Sequence, residues 1–311
     1  MRGVNMKDYL NEINEKHPIR RTKEQKEGFF DYLCNEFEPD TVRKDVLENK
    51  HENLVIGDIE RAEVILTAHY DTPARALYPN LMMPANPTLN MLYHILIPIV
   101  LALLSLVIAY LIVGIAAISE DKINSVLIPC YLLIYFLSFY LSTRCFTNKN
   151  NKNDNTSGIA TLISIAKSVK NDKVAFVFFD NEEKGLLGSK AMAKKYKNEL
   201  KDKLVINFDC VGNGKEILIM AKKGALNNEN YIKLLKSFKQ ENGFNLYFLS
   251  LEKCSSNSDH KNFENGVGVA ACQKGKIAKF ITGKIHTNKD TVADKENIEY
   301  LASQMIKYLS V

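Results

Sequence analysis

The chain has 311 residues, with 41 Lys and Arg against 36 Asp and Glu and a formal charge of +5. That length can bury a full core, and no basic block interleaved with aromatics is present, which excludes a nucleic-acid-binding stripe. The six cysteines, Cys34, Cys130, Cys145, Cys210, Cys254 and Cys272, form no Cys-x-x-Cys pair, so neither a zinc finger nor a dense disulfide framework is expected. One pairing, Cys254 with Cys272, stays open.

Residues 1–16 mix charges of both signs around no apolar core, so no secretory signal is read there. A helix is expected over 22–37, then β-rich runs over 53–59 and 63–68. The second run leads into His69-Tyr70-Asp71. Alternate residues of an extended segment share a face, so Asp71 is placed to accept a hydrogen bond from the His69 ring nitrogen that faces away from a metal.

Two apolar segments follow, 91–118 with about 28 residues and 123–143 with about 21, neither carrying a formal charge. A helix needs roughly 20 residues to cross a bilayer, so both qualify as membrane spans. The linker Ser119-Glu120-Asp121-Lys122 is short enough to force an antiparallel hairpin, expected over 89–143, that returns the chain to the side it left. Arg75, Arg144, Lys149 and Lys152 flank its open end while the linker holds only Lys122, which puts the globular part, 1–88 and 144–311, on the cytoplasmic side of an integral membrane protein.

Beyond the hairpin the pattern alternates. Strands are expected over 174–179, 204–208, 216–221, 245–250, 266–272 and 278–282, and helices over 158–169, 188–200, 229–241 and 295–309. Such alternation argues for an α/β domain whose sheet is covered on both faces. The unbroken apolar run 174–179 suits a strand buried on both sides.

The chemistry-bearing residues sit at the ends of these strands or in loops. Glu182 and Glu183 are adjacent carboxylates, a costly arrangement without a cation or a proton. Asp154 stands before the turn Asn155-Thr156-Ser157-Gly158, Asp209 ends a strand, and His286 lies in a loop. Helix capping, strand termination and a surface loop are the ordinary explanations for these three taken singly. In an open sheet the loops at the carboxyl ends of strands form the ligand crevice, where the set could converge on a metal.

The segments Ala68-His69-Tyr70-Asp71, Asp154-Asn155-Thr156-Ser157-Gly158, Asp180-Asn181-Glu182-Glu183-Lys184-Gly185-Leu186-Leu187-Gly188-Ser189, Asn207-Phe208-Asp209 and Ile285-His286-Thr287 resemble, in order, the signature segments of metallopeptidase family 28, zinc-dependent exopeptidases that include leucine-type aminopeptidases. The resemblance runs from about residue 63 to about 290, interrupted by the hairpin. It implies a three-layer α/β/α sandwich around a mixed sheet, a peptide substrate and two zinc ions, for which Co2+ or Mn2+ could substitute. It also implies that His69 and Asp209 hold one ion, Glu183 and His286 the other, and Asp154 both. Glu182, next to a ligand, then fits the general base. Ser258-Asp259-His260 matches a further segment of the family, with helix capping as its ordinary role.

Two other functions are weighed. A glutaminyl cyclase-like enzyme shares the Glu-Glu segment but works with one zinc, and the absence of tryptophan argues against the aromatic pocket of such cyclases. A non-catalytic membrane receptor or scaffold on the same fold would be expected to have lost ligands or base, and none is missing. Residue preference and oligomeric state are not legible in the sequence.

Overall fold

Unbroken apolar runs become the middle of the sheet. In the computed structural model, which describes residues 7–116, 119 and 122–310, strands β3 (Val64–His69), β5 (Val174–Phe179) and β6 (Leu204–Phe208) are buried at every position. Two-faced burial removes the need for alternation. Among the described residues there are ten strands and eight α-helices. The first six residues, Glu120 and Asp121 of the expected linker and the last two residues of the first expected span lie outside the description.

The strand order is β1-β2-β5-β3-β6-β9-β10-β4, with β7 paired to β9 and β8 beyond it. The central strands β5, β3, β6 and β9 (Gly266–Lys274) run parallel. β2 (Glu52–Ile56) joins β5 antiparallel and carries β1 (Val42–Val46) outside it. β7 (Glu216–Ala221) is antiparallel to β9 and parallel to β8 (Asn245–Ser250), while β10 (Phe280–Gly283) pairs antiparallel with the end of β9 and with β4 (Leu81–Met82). The sheet is therefore mixed.

The pleat sends successive side chains to opposite faces, and the core divides accordingly. Leu54, Leu66, Phe176 and Phe178 point to one cluster, covered by α1 (Tyr9–Lys16), α2 (Lys23–Glu36), α5 (Ser157–Ser168), α7 (Glu229–Ser237) and α8 (Lys295–Leu309). Val55, Ile65, Val177 and Phe179 point to the other, beneath α6 (Leu187–Lys195). This is a three-layer sandwich, as expected.

The differences lie at the periphery. β1, β4 and α1 had no expected counterpart, and α6 and α7 stop at Lys195 and Ser237, short of the expected 200 and 241. Phe238 turns to extended backbone and buries its ring in the larger cluster, which ends α7. Cys254 and Cys272 share a small apolar cluster as free thiols, so the disulfide left open is not formed.

The apolar segments form α3 (Pro87–Ile115) and α4 (Ile123–Thr143), both long and apolar enough to cross a membrane. Among the described residues of α3 only Asn90, Ser105, Ala109 and Val113 are buried, and none of α4 is. Ser105, Ala109 and Val113 recur every fourth residue on one face, the spacing of a helix-helix seam made of small side chains. The remaining surface is Leu, Ile, Val, Phe and Tyr open to the outside, as in Leu103, Val107, Leu111, Leu133 and Phe136.

Candidate metal centre

The parallel strands β3, β5 and β6 end at one edge of the sheet, and their last residues lead into His69, Glu182-Glu183 and Asp209. Asp154 arrives from the loop before α5 and His286 from the loop after β10. At the start of α5 it is Asn155, not Asp154, that does the capping. Its Oδ1 accepts from the Gly158 N–H (3.1 Å), and its Nδ2 donates to the Phe208 carbonyl (2.9 Å). A side chain at Gly158 would meet Asn155 Oδ1 and the Phe208 carbonyl at 2.4 Å, so this approach requires glycine. Asp154 is left to face the site.

His69 Nε2 lies 3.3 Å from Asp154 Oδ1 and 3.7 Å from Asp209 Oδ1. His286 Nε2 lies 2.9 Å from Asp154 Oδ2 and 3.5 Å from Glu183 Oε1. The two oxygens of Asp154 thus face two different histidines. Ligand atoms fall within 4.8 Å of one another in three groups: His69, Asp154 and Asp209; Asp154, Glu183 and His286; and His69, Glu182 and Glu183. The first two are the sets expected from the sequence, and the third brings Glu182 within reach of a ligand position as well.

These residues fit divalent cations. Among the described residues Glu183 Oε1 and Asp209 Oδ1 find no hydrogen-bond partner although buried, which a folded protein tolerates only where something else satisfies them. Imidazole nitrogen with carboxylate oxygen is a donor set that zinc accepts. Burial pushes the Glu183 carboxyl up to about 8, with Asp154 adding to the shift against the pull of His286. Burial likewise raises Glu182, with Glu183 reinforcing it and His69 opposing. Burial would lower the two histidines, but Glu183 and Asp154 hold His286 at about 10, and Glu182, Asp154, Asp209 and Asp71 raise His69. Burial would raise Asp154, but His286 and His69 drive it well below the usual range.

Asp71 corrects one expectation. His69 Nδ1 lies 3.1 Å from the Asp71 backbone carbonyl but 3.6 Å from its carboxylate. The carboxylate instead accepts from the backbone N–H groups of Glu182 (2.9 Å) and Glu183 (3.2 Å). Those donors open a short helical turn and have no partner within it, so a buried carboxylate is drawn to them.

Two further residues carry the site that the sequence reading left out. Arg20 is fully buried behind it, its Nε donating to the Tyr70 carbonyl (2.5 Å), Nη1 to the His17 carbonyl (2.6 Å) and Nη2 to Thr156 Oγ1 (3.2 Å). Asp290 accepts from the N–H of Asn153 and of Asp154, each at 3.0 Å, and so fixes the loop that carries Asp154. Asp290 follows His286 by four positions, which was a usable signal; Arg20 offered none.

Ser258-Asp259-His260 does not cap by side chain. Asp259 Oδ1 accepts from Ser189 Oγ (2.5 Å), and Ser258 Oγ accepts from Asn207 Nδ2 (2.9 Å). His260 is buried against Gly268, with both ring nitrogens unpartnered.

Two cavities open on the cluster. The larger, about 390 Å³, has Met82, Met220, Val269, Ala270 and Ile285 in its wall beside Glu182, Asp209 and His260. The smaller, about 290 Å³, lies on the side of Glu183 and His286 and reaches Phe139 and Thr143 of α4. The base of the hairpin is bound into these walls. Asn90 accepts from the Met83 N–H and donates to Ser255 Oγ (each 2.8 Å), and the Leu77 N–H donates to the Ser142 carbonyl (3.1 Å).

The family model described as Peptidase family M28 matches residues 147–309. Among solved structures, the LapA aminopeptidase of Legionella pneumophila aligns over 97% of this chain and 67% of its own at 12% identity and a TM-score of 0.54. A Zn-dependent exopeptidase from Parabacteroides distasonis aligns over 96% and 95% at 15% identity and 0.54. The glutaminyl cyclase of Fimbriiglobus ruber aligns over 97% and 92% at 15% identity and 0.54. At these identities the likeness is one of fold. Comparison with curated proteins gives no match. The family match spans more than half of the chain and ends beyond His286, and the His, Asp and Glu groups described above converge on candidate metal positions: the chain belongs to peptidase family M28 and is a zinc-dependent metallopeptidase.

Proposed function

We propose that this chain is a membrane-anchored aminopeptidase with a co-catalytic pair of zinc ions. His69 and Asp209 would hold one ion, Glu183 and His286 the other, and Asp154 both. The observation that carries this reading is the division of Asp154, Oδ1 facing His69 and Oδ2 facing His286. When bound, the two ions would polarise a scissile carbonyl and lower the pKa of a shared water.

The chain's own residues do the rest. Glu182 takes a proton from the attacking water and returns it to the leaving amine. Asp71 holds the turn that carries Glu182, and Asp290 and Arg20 hold the loop that carries Asp154. The apolar wall of the larger cavity receives the side chain of the N-terminal residue, while the acidic rim attracts the substrate ammonium.

The hairpin α3–α4 anchors this domain in a bilayer. Its outward surface is apolar along both helices, and an unpartnered surface of that size calls for lipid or a partner. The domain comprises 1–88 and 144–311, on the cytoplasmic side by its basic flanks.

The test is metal content and cleavage by the full-length protein in detergent, using free and N-acetylated peptides with and without chelator. Two zinc ions per chain and chelator-sensitive release of free N-terminal residues are expected. One ion per chain with cyclisation of N-terminal glutamine would assign the protein to the glutaminyl cyclases instead. Metal binding with no turnover of either kind would leave a receptor or scaffold.

A further inference from the structure

The smaller cavity is lined by Arg21, Lys26, Arg144 and Lys184, four cations from three segments, beside Asp71, Glu183 and His286. Lys26 is neutralised by Asp180 (2.5 Å). Among the described residues the Arg21 side chain has only the Phe146 carbonyl (3.2 Å), and Arg144 and Lys184 form no ion pair. Arg144 caps the C-terminal end of α4 and borders both cavities.

The acidic cluster does not account for these charges. Two divalent ions would balance Asp154, Glu182, Glu183 and Asp209, and Arg20 lies behind Asp71 and Asp154. Arg21, Arg144 and Lys184 therefore remain over in the smaller cavity, where Asp71 and Glu183 are the carboxylates in the wall, while Asp154, Glu182, Glu183 and Asp209 all line the larger one. A short peptide is a zwitterion with the matching polarity. Its ammonium belongs at the acidic end, and its terminal carboxylate belongs at the guanidinium end, where Arg makes paired, charge-assisted hydrogen bonds. At about 290 Å³ the cavity has the scale of a small-molecule site, roughly 300 Å³ and upward, which suits a chain end.

We propose that this cavity is a carboxylate subsite built around Arg144, and that the enzyme is selective for short peptides with a free C-terminus. The proposal rests on the aminopeptidase reading above. It gives the hairpin a part in specificity, because the residue that reads the carboxylate is the one that closes α4.

The experiment compares trialanine with trialanine amide on the full-length zinc-loaded protein in detergent, as wild type, Arg144→Gln and Arg144→Lys. Binding of both peptides to the zinc-loaded Glu182→Gln protein is measured by calorimetry, so that a readout without turnover exists. Wild type should favour the acid about tenfold through KM with similar kcat, the scale of one charge-assisted hydrogen bond. Arg144→Gln should bring that ratio near one, through a loss on the acid that exceeds any on the amide, with unchanged zinc content, and Arg144→Lys should restore most of it. Calorimetry should show the same dependence on Arg144. Equal binding of acid and amide, or equal losses on both in Arg144→Gln, would overturn the subsite. If neither peptide is cleaved but the acid binds in preference through Arg144, the aminopeptidase reading fails and the subsite stands. If acid and amide behave alike, and Arg144→Gln instead removes a difference between phosphatidylglycerol and phosphatidylcholine nanodiscs, the cations serve a lipid headgroup and the proposal is wrong.

Discussion

The carboxylate of Asp71 accepts the backbone N–H of Glu182 at 2.9 Å and that of Glu183 at 3.2 Å, so one side chain from the end of β3 fixes the two acidic residues that follow β5. Asp71→Asn would set an amide NH2 against one of these N–H donors. Loss of such an outer contact typically costs roughly 10- to 100-fold in activity or metal affinity. The expected outcome is a drop in kcat of that order with both zinc ions retained at saturating metal, measured by steady-state kinetics with elemental analysis. An unchanged kcat would show that the turn holds itself.

Glu182→Gln should abolish turnover and leave zinc content near that of wild type, because only the proton shuttle is removed. The third ligand grouping, in which Glu182 joins His69 and Glu183, makes this a sharp comparison. Loss of an ion in Glu182→Gln would make Glu182 a ligand. Glu183→Ala and His286→Ala should each lower zinc occupancy together with activity.

The joints of the hairpin set where it can be cut. Replacing 96–138 by a short Gly/Ser linker keeps Asn90 and the Ser142 carbonyl, and should give a protein that stays in solution without detergent, binds two zinc ions and cleaves small substrates. Replacing 90–143 also removes the acceptor of the buried Met83 N–H and the partner of Ser255, at a cost of about 1–3 kcal/mol for an unsatisfied buried group. A lower thermal midpoint and a weaker KM should follow in the longer deletion alone. Equal behaviour of the two would reduce the hairpin to a tether.

Sidedness is open to labelling. A cysteine at Lys122 should react with an impermeant thiol reagent in intact cells, and one on the globular domain should not. Cys145, just past the C-terminal end of α4, is an exposed native thiol and has to be replaced first. Labelling of the globular site alone would place the catalytic domain outside.

A pH effect is expected far from the metal centre, where α1 docks. Partial burial would raise the Glu12 carboxyl, but Lys16 (2.6 Å), Lys7 (2.8 Å) and Tyr32 (3.2 Å) outweigh it and hold its pKa at about 2 against an ordinary 4.5. A depressed carboxyl contributes stability that is fully present above the unfolded value and is lost as pH falls through the folded one. Resistance of wild type to chemical denaturation should therefore fall between about pH 4.5 and 2 by an increment that Glu12→Gln lacks.

The sheet and its two helical layers were legible because unbroken apolar strands such as 174–179 admit no other packing, and because amphipathic helices repeat their pattern over several turns. β1 was not, since Val-Arg-Lys-Asp-Val takes its strand form from pairing with β2 rather than from its own pattern. The convergence of His69, Asp154, Glu182, Glu183, Asp209 and His286 could be read because each is a polar residue at the end of an apolar run or in a loop between such runs. Arg20 could not, because its partners lie up to 136 positions away and three of its contacts are backbone carbonyls or hydroxyls that any residue might supply. Asp71 keeps His69 within ion-pair range at 3.6 Å, but its two backbone donors were missed for a related reason. A backbone N–H freed by a turn leaves no mark in a pattern of side chains.

The position of α3 and α4 between β3 and β5 also has a consequence for biogenesis. The central strand β3 emerges from the ribosome before the hairpin, yet both of its neighbours, β5 and β6, are encoded after it. Until the hairpin has been made and disposed of, β3 offers two unpaired edges and His69 has none of its companions. An unpaired apolar strand is a template for wrong pairing. Synthesis of the hairpin therefore precedes completion of the sheet, and the cluster of His, Asp and Glu residues is assembled only from chains whose hairpin has already been made.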